Sequence, residues 1–228
     1  MPSSDFPMSL SLEEAQQRVV SICKSRQLAI DTIPLQVAVG RVLAEDAHAS
    51  DDIPAFDNSA MDGFAVRGED LPCEGEARFQ VMETLLAGHV TQRVLGVGQC
   101  MRIMTGARMP NGADTVVIKE RVRVEANIAV IGAGERQGSN VRPRGEEMLA
   151  GQLAVGRGQR IRATHASLLA SLGMDRVRVF RQPRASIIST GDELVMPGQS
   201  CSGAQIYNSN GFGLAAMLGG AGAQLDRA

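Results

Sequence analysis

The sequence is poor in aromatic residues. It has 228 residues, of which 3% are aromatic, and it contains no tryptophan. Proteins that bind single-stranded nucleic acid stack the bases on aromatic side chains, so this scarcity argues against base-stacking platforms and aromatic sugar sites. The formal net charge is −2 at pH 7. The chain therefore also lacks the basic surface expected of a protein that binds nucleic acid or acidic membranes.

The sequence also lacks the closely spaced cysteines and histidines that form disulfides or metal sites. The four cysteines, Cys23, Cys73, Cys100 and Cys201, are far apart and show neither CxxC nor Cys/His spacing. This pattern argues against a zinc site and for unpaired thiols in a reducing compartment. We expect neither a signal peptide at the N-terminus nor a membrane-spanning segment, since no basic start precedes an apolar run and no apolar run is long enough. A cytoplasmic protein is the expectation.

Two common catalytic arrangements are absent from the sequence. There is no GxxxxGK[ST] phosphate loop, and the histidines His48, His89 and His165 are scattered, without a Ser-His-Asp arrangement. Structural or exposed positions explain these histidines.

The acidic stretch from Asp51 to Ala65 is the most informative part of the chain. Four carboxylates fall within twelve residues, and Pro54, Asn58, Ser59 and Gly63, which are common turn formers, separate them. The stretch is too polar for a core strand and lacks helical periodicity, so we expect a loop. Like charges repel by about 1 kcal/mol at ~4 Å in water and about 4 kcal/mol at an effective dielectric near 20. A divalent metal would relieve that repulsion, although a solvated acidic turn explains the stretch equally well.

The flanking segments predict a mixture of helices and strands. Ser11 and Glu14 form a capping box for a helix to about Arg26, whose apolar stripe must bury against this chain or a second copy. A short helical turn is expected at Leu35 to Ala38. A β-rich texture begins near Gly88, with these expected strands: His89 to Val97, Gln99 to Met104, Thr115 to Glu120, Arg121 to Glu125 and Ile128 to Ile131.

The last third of the chain predicts a return to helix and then a parallel α/β arrangement. Thr164 is expected to cap a helix that ends at Gly173, and Arg176 to Phe180 reads as a strand. Ala185 to Ser189 reads as a buried strand, Asn208 to Asn210 as the start of a helix, and Gln224-Leu225 as the start of another strand. Strand, loop, helix and strand is the opening of a parallel α/β domain.

Three further motifs combine donors for an oxyanion with acceptors for a cation. Thr105-Gly106-Ala107 follows a strand, and an ordinary strand-ending turn explains it better than an anion site. Arg142 and Arg144 stand beside Glu146 and Glu147, which suits either phosphate binding or a surface salt-bridge cluster.

The third motif lies where open α/β sheets bind ligands, beyond the carboxyl end of a strand. Ser189 and Thr190 would donate to an anion, Gly191 would allow close backbone approach, and Asp192 and Glu193 would hold a metal or orient a polar ligand. N-capping explains Thr190 and Asp192 almost as well. Asn208 to Asn210 would add an amide-rich anion seat, with simple helix capping as the alternative. Magnesium bridging a phosphorylated ligand to carboxylates would satisfy both kinds of group.

The ordered set of motifs closely resembles the molybdopterin molybdenumtransferase family, that is, the MoeA and gephyrin E-domain family of molybdenum cofactor biosynthesis. The stretches that carry the resemblance are Phe56 to Ala65, Arg102 to Ala107, Asn140 to Glu146, Ser189 to Leu194 and Gln205 to Asn210. Together these stretches are highly specific, and the resemblance runs from about Met8 to the end.

The resemblance implies insertion of molybdate into adenylylated molybdopterin with release of AMP, dependence on magnesium, an elongated homodimer, and a molybdopterin adenylyltransferase as partner. It implies functional roles for Asp62, Thr105 and Glu193. Candidate metal ligands are Asp62, Glu147 and Glu193. Candidate substrate-binding residues are Ser59, Arg142, Arg144, Ser189, Thr190, Gly191, Asp192, Asn208 and Asn210. Glu147 stands where the family pattern often has Asp, so its side chain reaches one methylene further.

The expected fold is α/β with an inserted β-rich domain, in an elongated multi-domain chain. Residues 1–50 with 151–180 would form a discontinuous linker and dimerisation domain, 51–150 the inserted domain, and 181–228 the start of a molybdopterin-binding α/β domain that is incomplete as given. This last feature suggests that the chain alone is inactive. Two other functions stay open: a non-catalytic dimerising and binding fragment, and magnesium-dependent phosphate-ester chemistry on another nucleotide-like ligand.

Overall fold

A computed structural model describes residues 10–24 and 26–226. The helices are α1 (Leu12–Lys24), α2 (Ala163–Ser171) and α3 (Ser209–Ala221). The strands are β1 (Ile30–Pro34), β2 (Ala47–His48), β3 (Asn58–Ser59), β4 (Gly63–Val66), β5 (Glu76–Leu85), β6 (Gln99–Ile103), β7 (Thr115–Ile118), β8 (Val122–Glu125), β9 (Ile128–Gly132), β10 (Val141–Arg142), β11 (Leu153–Val155), β12 (Arg176–Phe180), β13 (Arg184–Ala185), β14 (Leu194–Val195), β15 (Ile206–Tyr207) and β16 (Gln224–Leu225).

The chain divides into two compact units. One contains His48–Ala154, and the other contains the described residues before and after that segment. We call them the β-unit and the flanking unit.

The β-unit is built on a six-stranded sheet with the order β7-β4-β6-β5-β9-β8. All its pairings are antiparallel except that of β5 with β6, which is parallel. Successive side chains of a strand point to opposite faces, and both faces of this sheet are covered. Phe64, Phe79 and Ile131 belong to the core on one face, and Met101 and Ile103 to the core on the other.

Strand β4 lies inside this sheet, and all four of its residues are buried. The expectation of a loop through Ala65 is therefore wrong at its end, because Gly63 to Val66 are apolar enough to be covered on both faces. Gly63 pairs with Ile103 of β6 and with Ile118 of β7. A Cβ atom at Gly63 would overlap the carbonyl oxygen of Val117, so this position tolerates only glycine.

Two further expectations for the β-unit are wrong. His89 to Val97 is not a strand, and Val90, Val94 and Val97 are exposed there, because no neighbouring strand pairs with them. The longest strand, β5, was not expected. Its apolar and polar residues alternate only weakly, and Glu76 and Arg78 are charged. In the folded chain these charges are paired with other strands, for example Arg78 with Glu125. The expected strands at Gln99, Thr115, Arg121 and Ile128 are confirmed as β6 to β9, with ends shifted by a few residues.

The flanking unit contains an antiparallel pair, β1 with β12, in the register Ile30 with Phe180 and Pro34 with Arg176. The strand expected at Arg176 to Phe180 is confirmed, and so is the short helical turn at Leu35–Val37. The expected cap of α2 is wrong: the N-cap is Arg162, and Thr164 lies inside the helix. Here the backbone N–H of Arg162 donates to His165 Nδ1 at 3.4 Å.

Helix α1 begins with the expected capping box. The Ser11 N–H donates to Glu14 Oε2 at 2.9 Å, and the Glu14 N–H donates to Ser11 Oγ at 3.2 Å. These two bonds satisfy N–H groups that a helix start leaves without partners.

The end of the flanking unit has the beginnings of parallel pairing, as expected. β13 pairs in parallel with β16, β14 pairs in parallel with β15, and α3 lies between β15 and β16 in the chain. Asn208 caps α3 by accepting a hydrogen bond from the Gly211 N–H at 3.0 Å. The buried strand expected at Ala185 to Ser189 is wrong beyond Ala185: Ile188 is 85% exposed, because no described element covers it.

All four cysteines are unpaired, as expected, and burial raises the pKa of the Cys100 thiol to about 12. Among the helices of residues 10–24 and 26–226, none has the length and apolar character needed to cross a bilayer.

The contact between Gly63 and Val117 gives a first prediction. Gly63→Ala should lower the free energy of unfolding by about 3 kcal/mol or abolish folding, because overpacking against rigid backbone has no side chain that can move aside. Chemical denaturation followed by circular dichroism measures the change. Gly132→Ala is the matched control, since that strand glycine has no atom within 4 Å of the added Cβ. Equal stability of the two variants would contradict the assigned strand register.

Candidate functional site

Three side chains meet at one end of three neighbouring strands of the β-unit sheet. Asp62 directly precedes β4, Thr105 follows β6 by two residues, and Lys119 directly follows β7. Because Gly63 pairs with the last residues of both β6 and β7, the residues that continue these strands are brought to Asp62. We call Asp62, Thr105 and Lys119 the strand-end site.

The Asp62 carboxylate accepts three hydrogen bonds. The Thr105 backbone N–H and hydroxyl donate to Oδ1 at 2.9 and 2.8 Å. The Lys119 ammonium donates to Oδ2 at 3.3 Å. Two main-chain bonds hold the same segments, from the Lys119 N–H to the Asp62 carbonyl at 3.1 Å and from the Gly106 N–H to the Ser59 carbonyl at 2.8 Å. The carboxylate is therefore fixed in orientation.

These donors also determine the charge of Asp62. The Thr105 backbone N–H, the Thr105 hydroxyl and the Lys119 ammonium together lower the pKa of Asp62 to about 2. Donors to a carboxylate favour its ionised form. Asp62 is thus ionised throughout the physiological pH range, which makes it a good hydrogen-bond acceptor and a poor general base.

Sequence reasoning selected Asp62 and Thr105 and missed Lys119. The sequence marks Lys119 only weakly as a site residue, because it is a single charge directly after a buried strand. Only the pairing of β7 with β4 shows that its neighbour is Asp62. Its side chain is 51% exposed and that of Asp62 39%. At such exposure the ion pair contributes little to stability, so its role is to orient the carboxylate.

Two further carboxylates of the acidic stretch, those of Asp52 and Asp57, also accept hydrogen bonds from the chain. Asp52 accepts from the Ala150 N–H at 2.7 Å and from Arg144 Nε at 2.6 Å, and these bonds lower the pKa of Asp52. Asp57 accepts from the Arg144 N–H at 2.7 Å. Protein donors therefore offset the mutual repulsion of Asp52, Asp57 and Asp62, which suggested a divalent metal.

The other predicted residues of the β-unit are not gathered around Asp62 by any described contact. Ser59 is fully buried, and its hydroxyl donates to the Met61 carbonyl at 2.5 Å, so that it closes a turn. Arg142 is exposed on β10, whose partner is β3. The exposed Glu147 donates its N–H to the Ile53 carbonyl, and its carboxylate has no described partner.

The predicted residues after Pro183 lie in the flanking unit. Ser189 Oγ donates to Asn208 Oδ1 at 3.2 Å, so one hydroxyl and the helix cap are joined. Asn210 is exposed in the first turn of α3. Thr190 and Asp192 are exposed, with no side-chain partner in the part of the chain that the structure describes.

Gly191 and Glu193 form a close contact in this loop. Gly191 has φ +143°, and a Cβ atom there would lie 2.5 Å from Glu193 Oε2. A side chain at Gly191 would therefore overlap the carboxylate of Glu193, and close approach of a ligand to this backbone stays a prediction.

The residues around Asp62, as arranged, do not fit a magnesium ion. Magnesium is held by one or two carboxylates together with substrate phosphates and waters, whereas here both carboxylate oxygens already accept hydrogen bonds and the nearest cation is Lys119. No three histidines, cysteines, aspartates or glutamates converge on a metal site within residues 10–24 and 26–226. Metal binding by Asp62, Glu147 and Glu193 stays a prediction.

A family model links the chain to known proteins. The model described as the MoeA N-terminal region (domain I and II) matches residues 10–173, which include the whole β-unit and the strand-end site. The chain therefore belongs to the MoeA family.

Relatives in this family share much of the chain. The molybdopterin molybdenumtransferase of Staphylococcus epidermidis is 36% identical over 205 residues, covering 89% of this chain and 48% of that protein. The molybdopterin molybdenumtransferase of a Nostoc species is 38% identical over 197 residues, covering 85% and 45%. The chain spans about half the length of these relatives.

Solved structures agree on the fold. Two crystal structures of the molybdopterin biosynthesis MoeA protein of Pyrococcus horikoshii match with TM-scores of 0.79 and 0.81 at 32% and 30% identity. They cover 92% and 87% of this chain and 55% and 54% of their own chains.

The hydrogen bonds of the strand-end site predict the effect of removing one donor. Thr105→Val should raise the pKa of Asp62 from about 2 toward its ordinary value of 3.8, because the hydroxyl bond is lost. A depressed pKa stabilises the fold above pH ~4, and that stability is lost as the pH falls toward ~2. The variant should therefore lose less stability over this range. NMR titration of the Asp62 carboxyl carbon measures the pKa, and Thr105→Ser, which keeps the hydroxyl, should leave it low. An equally low pKa in Thr105→Val would contradict the hydroxyl contact.

Proposed function

We propose that the chain is the N-terminal region of an enzyme of molybdenum cofactor biosynthesis, which inserts molybdate into adenylylated molybdopterin with release of AMP. Membership of the MoeA family supports the pathway. The relatives that are named molybdopterin molybdenumtransferase support the reaction, although this chain spans about half their length.

One observation carries the assignment of the site: the fully bonded, ionised carboxylate of Asp62 at the meeting of three strand ends. A carboxylate that is oriented before the ligand arrives costs no reorganisation when donors of a substrate reach it. Such a group aligns a substrate and does not need to attack it. The proposed catalysis therefore works by positioning and by charge, without a covalent nucleophile.

Each member of the strand-end site has its own part in this proposal. Asp62 orients polar groups of the substrate. Thr105 fixes Asp62 through two hydrogen bonds and stays close enough to donate to a ligand that displaces one of them. Lys119 supplies positive charge beside an anionic substrate, and it is the residue that sequence reasoning did not select.

The remaining predicted residues enter the proposal as substrate contacts. Glu193 and the loop that contains it would meet polar groups of the substrate, with Ser189, Thr190, Gly191, Asp192, Asn208 and Asn210. Arg142 and Arg144 would meet anionic groups. Glu147 would act as an acceptor. The fixed turn at Ser59 would keep Asp62 in register, which replaces its expected role as a direct contact.

The proposal includes magnesium and a partner enzyme because the substrate would bind the first and be made by the second. A phosphorylated substrate carries magnesium on its own oxygens and needs only one or two protein carboxylates beside them. A molybdopterin adenylyltransferase would supply the adenylylated substrate.

We also propose that the protein is a homodimer and that α1 contributes to the interface. None of the described residues of α1 is buried within the chain, and Leu12 and Val19 are 68% and 61% exposed. Leu12, Ala15 and Val19 follow one stripe of the helix, and burial of apolar surface is the main gain in association. A second copy offers the same stripe, as a two-fold interface requires.

The dimer proposal predicts that Val19→Glu shifts the protein toward monomer, because a charge enters the apolar stripe. Light scattering after size-exclusion chromatography measures the mass. Ser21→Glu is the control, since this residue lies on the opposite side of α1. A dimer that persists in Val19→Glu would contradict the role of α1.

The site proposal predicts that Asp62→Asn lowers molybdate insertion about 100-fold or more, the size of effect seen when one preorganised electrostatic contact is removed. The assay follows AMP release by the product of the complete reading frame, with adenylylated molybdopterin and molybdate as substrates. Asp175→Asn, an exposed aspartate with no described side-chain partner, is the control and should retain activity.

Unchanged activity in Asp62→Asn would refute the role of Asp62. If the reading-frame product itself has no activity but still forms the dimer, the alternative of a binding module is favoured.

A further inference from the structure

A polar cavity in the β-unit enters the proposal above only through Arg144, and its other lining residues have no role there. Its volume is about 370 Å³, and its lining includes Phe56, Asp57, Arg108, Asn111 and Arg144. A neighbouring cavity of about 180 Å³ shares Arg108 and Asn111. We call the larger one the Arg108 cavity. Two arginines line the same concave surface, which is the arrangement expected of a site for an anion.

Arg108 has no acidic partner in residues 10–24 and 26–226. Its guanidinium carbon lies 5.6 Å from the centre of the Phe56 ring, which restricts the orientation of its planar group. The neighbouring Arg144 differs, because its Nε is bound to Asp52. Arg108 therefore offers a full set of five N–H donors that no described protein acceptor uses.

Further donors lie on the same surface. The terminal nitrogens of Arg144 have no described acceptor, since its only side-chain bond uses Nε. The Pro110 to Ala113 turn is closed by the Ala113 N–H, which donates to the Pro110 carbonyl at 3.1 Å. The N–H groups of Asn111 and Gly112, at the centre of this turn, have no acceptor in the described part of the chain.

One negative charge in the cavity limits its affinity for an anion. Asp57 lines it and uses Oδ1 to accept the Arg144 N–H at 2.7 Å. The described contacts leave Oδ2 without a donor. Asp57 therefore weakens the attraction of Arg108 for an anion, and the affinity of any anion should depend on this residue.

We propose that the Arg108 cavity binds a tetrahedral oxyanion, either free or as the phosphoryl group of a larger ligand. The planar fork of arginine matches two oxygens of such a group, and the turn N–H groups add donors in the manner of an anion-binding nest. The inference is independent of the strand-end site, because its residues contact neither Asp62 nor Lys119 through any described bond.

Titration of the protein with inorganic phosphate, molybdate and AMP tests this binding, with amide chemical shifts as the readout. Shifts should be largest at Arg108, Asn111 and Gly112 and should saturate. Equal binding of phosphate and molybdate indicates a free oxyanion. Tighter binding of AMP, with added shifts at Thr91 and Gln92 of the neighbouring cavity, indicates a phosphate monoester. Either result supports the proposal.

Four variants give the proposal its sharpest test. Arg108→Gln should weaken binding about tenfold or more, and Arg108→Lys should lose less because the charge remains. Asp57→Asn keeps the acceptor for Arg144 but removes the charge, so it should tighten binding several-fold. Arg136→Gln, at an exposed arginine outside the cavity lining, should change nothing.

Binding by Arg108→Gln that equals binding by the parent protein would overturn the proposal, and so would shifts spread over the surface without saturation. Asp62→Asn should bind the oxyanions normally. Loss of activity in that variant with intact oxyanion binding therefore separates the two proposals.

Discussion

The close contact of β4 with β7 fixes the geometry of the β-unit. Gly63 lies so near the Val117 carbonyl that no side chain fits between the two strands. The same glycine pairs with the last residues of β6 and β7. Because side chains alternate along a strand, a slip by one residue would turn every side chain of β4 to the wrong face. The register that builds the core therefore also places Thr105 and Lys119 at Asp62.

The acidic stretch shows how the chain handles concentrated negative charge. Asp62 is bonded by Thr105 and Lys119, and Asp52 and Asp57 are bonded by the side chain and the backbone of Arg144. Each of these three carboxylates takes its donors from a segment that is distant in sequence. These three charges thus hold loops in place. The carboxylates therefore offer a ligand acceptors of fixed orientation and a local negative electrostatic potential.

Elements with strong local signals could be predicted from the sequence. The capping box of α1, the Asn208 cap of α3 and the strand at Arg176 depend on neighbouring residues, and they are confirmed. β5 and the loop at His89 to Val97 could not be predicted, because strand formation there depends on which partner strand is available. β-propensity describes a fit to neighbours more than a property of the segment.

The residues of the candidate site also differ in whether the sequence could predict them. Asp62 and Thr105 could be selected from motifs, since turn residues and a strand end mark them. Lys119 could not, because its relation to Asp62 exists only through the register of β4 and β7. Ser59 was selected for its hydroxyl, yet that hydroxyl closes a turn on Met61. A polar residue in a motif therefore serves the backbone as readily as a ligand, and only its hydrogen bonds distinguish the two.

The two sites of the β-unit are joined by one short ladder. The segments 57–59 and 106–109 are linked by bonds from the Ser59 N–H to Ala107, from the Gly106 N–H to Ser59 and from the Met109 N–H to Asp57. One end of this ladder leads to the acceptor Asp62, and the other carries the donor Arg108. Extended backbone rises about 3.3 Å per residue, so a few residues separate a fixed negative charge from a fixed positive one. A ligand that has donors at one end and an oxyanion at the other would be oriented by both, and a free oxyanion by Arg108 alone. Because the ladder is built from main-chain bonds, side-chain substitutions at either end leave the other in place, and the two sites can be separated by experiment.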